Sequence, residues 1–394
     1  MSKILIYMDK KEIAPVGGPK GYIFNLKQQL DTMEAAKNIN YLCSFKSVTT
    51  QVNKKIERIK NIKIQKLLII IKSIYKKERL LHGHKHRAAI NLNDYDLIHF
   101  HSTMDMYSIR DDLEDYKGIV ALTSHSPTIL SKEVFDRVTN FEKKFLKKSY
   151  KNLINMDIYA FNRADYLFFP CQEAEEPYYH SWPYYKTFKK KNLNKYRYLL
   201  TGINQCTYKL NRAQICNKYN IPETAFIISY AGRHNEIKGY DVLKEIAVML
   251  FGKYDNVYFL IAGKEGPLTR LEHKNWIEIG WTADPHSIIS ASDLFILPNK
   301  ETYFDLILLE ILSLGKIIVA SKTGGNKYFE KFNNCGIFLY KNIEESIRQI
   351  EDIMKMDKDS KNMIEASNSA IYKNYFTSEV FARNYISLIQ SILT

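Results

Sequence analysis

The feature that most constrains this chain is an alternation: short apolar runs, each stopped by small or polar residues, separated by stretches of helical character. In the first half the runs are Lys3–Tyr7, Tyr41–Phe45, Asp96–Phe100, Ile119–Thr123 and Tyr166–Phe169. In the second half they are Phe226–Tyr230, Val257–Ile261, Trp276–Ile279, Leu294–Leu297 and Ile317–Ala320, with helices expected over Asp241–Leu250 and Leu306–Leu314. Continuous apolar strands alternating with helices bury both faces of a parallel sheet. The expected fold is therefore α/β, with two doubly wound, Rossmann-like domains, 1–200 and 201–394, facing a central cleft. A last helix, about 376–393, can return to either domain. The aromatic and basic stretch Tyr178–Arg197 shows little periodicity and reads as a linker or lid. Ligands of doubly wound sheets bind beyond the carboxyl ends of the strands, here in the cleft.

Charge divides unevenly between the halves. Lysine and arginine number 57 against 43 aspartates and glutamates, a net charge of +14, and residues 1–200 carry the whole excess. That asymmetry reads as a footprint for an anionic partner. The stretch Lys54–Arg87 is the most basic, and within it Ile64, Leu67, Leu68, Ile71 and Tyr75 follow helical spacing while Lys66, Lys72 and Lys76 fall largely off that stripe. An amphipathic basic helix of this kind suits either an anionic membrane surface or core packing beneath a solvated lysine face. Lys143, Lys144, Lys147, Lys148 and Lys151 form a second patch, and Lys189 to Lys191 a third. The five cysteines (Cys43, Cys171, Cys206, Cys216, Cys335) are scattered, which argues against a disulfide framework or a structural zinc site. No apolar run approaches the roughly 18 residues of a membrane span, and Met1–Asp9 reads as a strand, not a leader. The expectation is a cytoplasmic chain, attached at most peripherally to the inner face of the cell membrane.

Two segments carry candidate chemistry. In Ser229–Asp241 a strand ends at Gly232, and Arg233 and Lys238 follow from the turn, two cations placed to neutralise a diphosphate leaving group. In Asn299–Gly315, Glu310 is a single acid within a strongly apolar helix, where it needs partners or a function. Two ribose hydroxyls would satisfy it. The plain alternatives are surface cations on a loop and a glutamate paired with a lysine.

Further pieces are the Pro15-Val-Gly17-Gly18 loop, Thr123-Ser-His125, Thr201-Gly-Ile-Asn204, Lys238-Gly239, Ala262-Gly-Lys-Glu-Gly266-Pro, Phe304 to Glu310, Gly315 and Thr323-Gly-Gly325. In this order and spacing the chain resembles the GT-B glycosyltransferases, specifically the large retaining family 4, over nearly its whole length. The resemblance implies that Arg233 and Lys238 contact the donor diphosphate, that Glu310 binds the nucleotide ribose, and that Gly17 and Gly18 approach phosphate and acceptor with backbone amides. It further implies that His125 lies beside the transferred sugar, that Arg233, Lys238 and His125 carry catalysis, and that the base sits near Gly280-Trp281. The implied substrates are a nucleotide-sugar donor, expected to be UDP-linked, and a glycan or lipid-linked acceptor of bacterial polysaccharide synthesis. No cofactor, metal or nucleic-acid partner is implied.

One departure stands out. The family pattern has a first glutamate eight positions before the second, and that position is Thr302, with Glu301 one place away. Asp305 stands where glycine is frequent. Either Glu301 reaches in, or Thr302 and backbone amides of Phe304, Asp305 and Leu306 take over its contacts, the preferred reading. The departure keeps open a catalytically inactive partner subunit; a basic nucleic-acid-binding protein is the remaining alternative, without a recognised binding module. Among other candidates, His99 and His101 share a strand face, His82, His84 and His86 alternate with basic residues, and Asp357-Lys-Asp359 reads as solvated surface.

Overall fold

The computed structural model describes residues 2–8, 18–43, 68, 71–72, 74–75, 85–126, 128–136 and 138–394. Gly17, His82, His84, Ile64, Lys66, Leu67 and Lys76 lie outside the described residues, as does most of the stretch Lys54–Arg87.

Two six-stranded sheets, parallel throughout, form the frame. The first contains β1 (Ile4–Met8), β2 (Ile39–Cys43), β3 (Leu97–Phe100), β4 (Ile119–Leu122), β5 (Tyr166–Phe169) and β6 (Tyr196–Tyr198), in the order β2-β1-β3-β4-β5-β6. The second contains β7 (Phe226–Ala231), β8 (Val257–Ala262), β9 (Trp276–Gly280), β10 (Leu294–Leu297), β11 (Ile317–Ser321) and β12 (Ile337–Tyr340), in the order β12-β11-β10-β7-β8-β9. Strand order reverses between β1 and β3 and again between β7 and β10. A crevice opens at each reversal because the crossovers on its two sides leave in opposite directions.

The helices used below are α1 (Gly18–Leu30), α2 (Asn140–Phe145), α3 (Lys147–Arg163), α4 (Glu176–Ser181), α5 (Pro183–Lys191), α6 (Tyr240–Phe251), α7 (Pro285–Ala291), α8 (Leu306–Ser313) and α9 (Ser378–Leu393). The last, α9, packs on the first sheet: Phe381, Ala382, Tyr385, Ile389 and Ile392 join Ile4, Ile6, Tyr22, Ile23 and Leu26 in one buried cluster. Its return is pinned by a bridge between Ile203 and Thr377, and the Tyr385 hydroxyl reaches His99 Nδ1 at 3.1 Å.

The stretch Tyr178–Arg197 is not a linker or lid. It forms the end of α4, all of α5 and strand β6, and Tyr178, Trp182, Tyr185 and Phe188 are buried around Phe161. Their steps of four, three and three residues run across two helices that are separated by the extended backbone of Trp182. A tyrosine-rich stripe among lysines is easily read as aperiodic. Lys189, one of those lysines, is drawn in by the buried Glu175, which also accepts from Tyr185 and Tyr198.

One core crosses from the first half to the second. The connection after β10 sends Tyr303 to Phe169, with ring centroids 5.8 Å apart, and the Tyr303 hydroxyl donates to the Phe168 carbonyl at 3.4 Å. Lys327 pairs with Glu176 beside this contact, and His180 with Glu301 at 3.2 Å. The two halves are therefore held closely enough for residues of both to share one cavity. No helix among the described residues is long and apolar enough to cross a membrane.

Candidate active site

A cavity of about 760 Å³ lies between the two sheets at both strand-order reversals. The first half contributes Gly18 and Tyr22 of α1, His101 after β3, and Ser124 to Ser126 after β4. The second half contributes Arg233 and Lys238 after β7, Glu301 to Leu306 after β10, Glu310 of α8 and His286 of α7. The segment after β6 adds Thr201, Ile203 and Asn204 to Thr207. Its volume lies within the range of small-molecule sites.

The second-half wall is cationic where β7 ends. Arg233 is exposed and makes no hydrogen bond or ion pair with any other described residue through its guanidinium. Lys238 is held differently, with both carboxylate oxygens of Asp305 2.7 Å from its Nζ. Asp305 also accepts from Asn299 and stands at the N-cap of α8 without capping it through its side chain. The turn carrying Lys238 needs Gly239: at φ 64° a Cβ there would lie 1.7 Å from the Pro298 carbonyl oxygen. The β7 turn is thereby seated against the end of β10, which fixes where Lys238 starts from.

Glu310 is partnered by a histidine, not a lysine. His286 Nε2 lies 3.0 Å from Glu310 Oε2, and Cys206 completes a cluster whose donor atoms all fall within 4.8 Å of one another. Hydrogen bonding to Cys206 and to Glu310 pushes the His286 pKa up to about 10. Nearby, Thr302 is 2% exposed, and its Oγ1, like Glu301 Oε2, is buried without a hydrogen-bond partner among the described residues. A buried polar atom left without a partner costs about 1–3 kcal/mol.

The first-half wall is a histidine ladder. His101 Nδ1 lies 2.8 Å from His125 Nε2, the His99 and His101 rings are 4.1 Å apart, and His99 bonds Thr123 Oγ1 at 2.9 Å. Burial, followed by the charge on His125, drives the His99 pKa down to about 3; burial and both neighbours push His101 well below its ordinary range. Both are neutral near pH 7. His125 takes φ 57°, a left-handed conformation uncommon for a side-chain-bearing residue, and its ring meets Tyr22 edge-on at 4.6 Å. Backbone strain of this kind concentrates at functional sites.

The cavity thus brings together His125, Arg233, Lys238, Gly18, Thr302, Phe304, Asp305, Leu306 and Glu310. Among the described residues nothing crowds a Cβ at Gly18. Trp281 stands apart: it is 78% exposed and is not part of the cavity wall. Asp357 accepts from the Ser360 amide at 2.8 Å and caps the helix Lys358–Ile371. Sequence reasoning missed His286, Cys206 and the Asp305–Lys238 pair. Only Asp305 carried a signal, as an acid in place of the frequent glycine.

Residues 211–370 match the family described as "Glycosyl transferases group 1". The O-antigen biosynthesis glycosyltransferase WclY of Escherichia coli is 23% identical over 189 residues, 45% of this chain and 51% of that protein. The lipopolysaccharide 1,2-N-acetylglucosaminetransferase of Salmonella typhimurium is 26% identical over 199 residues, 45% of this chain and 52% of that protein. The matched stretch thus spans about half the length of these relatives. Among solved structures, Anabaena Alr3699/HepE in complex with UDP and glucose superposes with a TM-score of 0.61 at 15% identity, covering 99% of this chain and all of that one. WaaG, a glycosyltransferase involved in lipopolysaccharide biosynthesis, gives 0.56 at 13% identity, covering 98% and 99%. The fold is GT-B.

Proposed function

We propose that this chain is a retaining glycosyltransferase that moves a sugar from a nucleoside diphosphate donor, UDP-linked, to a glycan or lipid-linked acceptor in surface polysaccharide assembly. The observation that carries this reading is the convergence of Arg233, Lys238 and Glu310 from the second half with His125 and Gly18 from the first, across one cavity. The relatives' printed roles in O-antigen and lipopolysaccharide synthesis support the substrate class, and the UDP complex of HepE supports the nucleotide.

In this reading Arg233 and Lys238 neutralise the diphosphate as the sugar leaves, and Lys238 turns from Asp305 towards the phosphate. Glu310 receives a ribose hydroxyl through Oε1 while His286 holds Oε2. The amide end of α1 at Gly18 faces the phosphate or the acceptor. Thr302 Oγ1 and Glu301 Oε2 take sugar hydroxyls, sharing the work of the missing first glutamate. The reaction proceeds by front-face substitution without a protein nucleophile, and the departing phosphate takes the acceptor's proton. His125 contacts the sugar's hydroxyls. The base stacks elsewhere than on Trp281, which lies outside the cavity.

Acceptor delivery engages the basic half. Helix α2 exposes Phe141 (56%) and Phe145 (63%), with rings 5.3 Å apart, beside Lys143, Lys144, Lys147 and Lys151. Aromatic rings flanked by lysines suit the boundary of an anionic bilayer, where each cation contributes about 1 kcal/mol. Peripheral attachment there would present a lipid-linked acceptor to the cleft.

Donor hydrolysis across a panel of nucleotide sugars tests the reading. Release of a nucleoside diphosphate from one donor class, abolished in Arg233→Ala, is expected. No turnover with any donor, with or without acceptor lipid, would instead favour a catalytically inactive partner subunit.

A further inference from the structure

Cys206, His286 and Glu310 come from three separate parts of the chain. Cys206 lies in the segment between β6 and the second sheet, His286 in the first turn of α7, and Glu310 on α8. Each is anchored on its own. The Cys206 amide donates to Ser313 Oγ at 3.2 Å, which lays that segment on the end of α8. Asp284 caps α7 by accepting from the Ser287 amide and hydroxyl, which fixes the turn bearing His286. One thiol, one imidazole and one carboxylate are thereby brought within 4.8 Å of each other on the wall of the cavity.

We infer that these three side chains form a binding site for a borderline-soft divalent cation of the zinc class, and that its occupation shuts the nucleotide out of the cavity. Thiolate, imidazole and carboxylate are the donor set that such an ion takes in preference to calcium or magnesium. Bonds of about 2.0–2.3 Å in tetrahedral geometry put neighbouring donor atoms roughly 3.3–3.6 Å apart. The His286–Glu310 edge, at 3.0 Å, is already close to that spacing. The Cys206 donor atom lies within 4.8 Å of both. Binding displaces the thiol proton and the proton shared between His286 and Glu310. A thiolate and a carboxylate then balance the ion's two charges, and three protein ligands leave a fourth position open to the cavity.

The exclusion of the nucleotide rests on the proposed role of Glu310: a carboxylate committed to a metal cannot accept from a ribose. The metal site itself does not rest on that role. It is a feature of this chain's own residues at Cys206 and His286, beside the glutamate.

Cobalt(II) titration of the purified chain tests the site, because tetrahedral cobalt bound to thiolate gives ligand-field and sulfur-to-metal charge-transfer bands. One equivalent of cobalt is expected to raise both bands, zinc to displace it, and Cys206→Ser to remove the charge-transfer band. His286→Gln should weaken binding at least about tenfold. Absence of the bands, or an unchanged spectrum in Cys206→Ser, would overturn the site. UDP titration with and without zinc separates the two claims. Weakening of UDP binding by zinc in the native chain but not in Cys206→Ser is expected. A cobalt band with UDP affinity untouched by zinc would overturn the exclusion and the ribose role of Glu310 together. UDP binding lost in Glu310→Gln with no cobalt band would retain the ribose role and reject the metal.

Discussion

On the proposed function, the Asp305–Lys238 pair decides how the donor enters. With both carboxylate oxygens at 2.7 Å, Lys238 is neutralised before any phosphate arrives, whereas Arg233 waits without a partner among the described residues. An incoming diphosphate must draw Lys238 away and tolerate the carboxylate left beside it. Asp305→Asn should therefore tighten UDP binding while leaving α8 intact, since Asp305 makes no side-chain cap; equal or weaker affinity by calorimetry would place Lys238 outside the diphosphate site. Arg233→Ala and Lys238→Ala should each lower turnover by about 10²–10³, the usual loss when one preorganised donor to a developing charge is removed. Steady-state kinetics showing KM effects alone in both would deny them that role.

At the scale of elements, α9 and the histidine ladder stabilise the first half together. Tyr385 of α9 and Thr123 at the end of β4 bracket His99, which stays neutral because burial holds its pKa near 3. A histidine titrates near 6.5 once unfolded. Its depressed value thus contributes stability that is complete above about 6.5 and is lost as pH falls from there towards 3. Melting curves should show native protein and His99→Gln converging as pH is lowered through that window; a constant gap would mean that the ring contributes by packing only. Much of this frame was legible in the sequence. Ten of the strands announce themselves as apolar runs, and Glu310, read as an acid on an apolar helix, is half-buried and paired with His286. What escaped was carried by tertiary contact. Strand β12 is short and half-buried, β6 hides behind lysines and tyrosines, and the stripe through Tyr178, Trp182, Tyr185 and Phe188 shows its period only when tyrosine is counted as apolar. His286 and Cys206 lie far from Glu310 in sequence, and no local spacing could have joined them.

For the whole molecule, the division of charge and the position of the cavity belong together. The neutral second half supplies the cavity wall that carries Arg233, Lys238 and Glu310, and the basic first half turns Phe141 and Phe145 outward. Co-sedimentation with vesicles should favour anionic over neutral lipid and fall in Phe141→Ala/Phe145→Ala; equal recovery on both vesicle types would remove the membrane from the account. The two halves meet through Tyr303 and Phe169, so the cleft is framed by a packed contact. Isothermal calorimetry of UDP against the native chain, Arg233→Ala and Glu310→Gln tests the central claim most directly. One mole of UDP per chain, with affinity lowered at least about tenfold (1.4 kcal/mol) in each variant, is the expected result. No heat of binding from UDP or any other nucleoside diphosphate, or equal affinity in all three proteins, would contradict it.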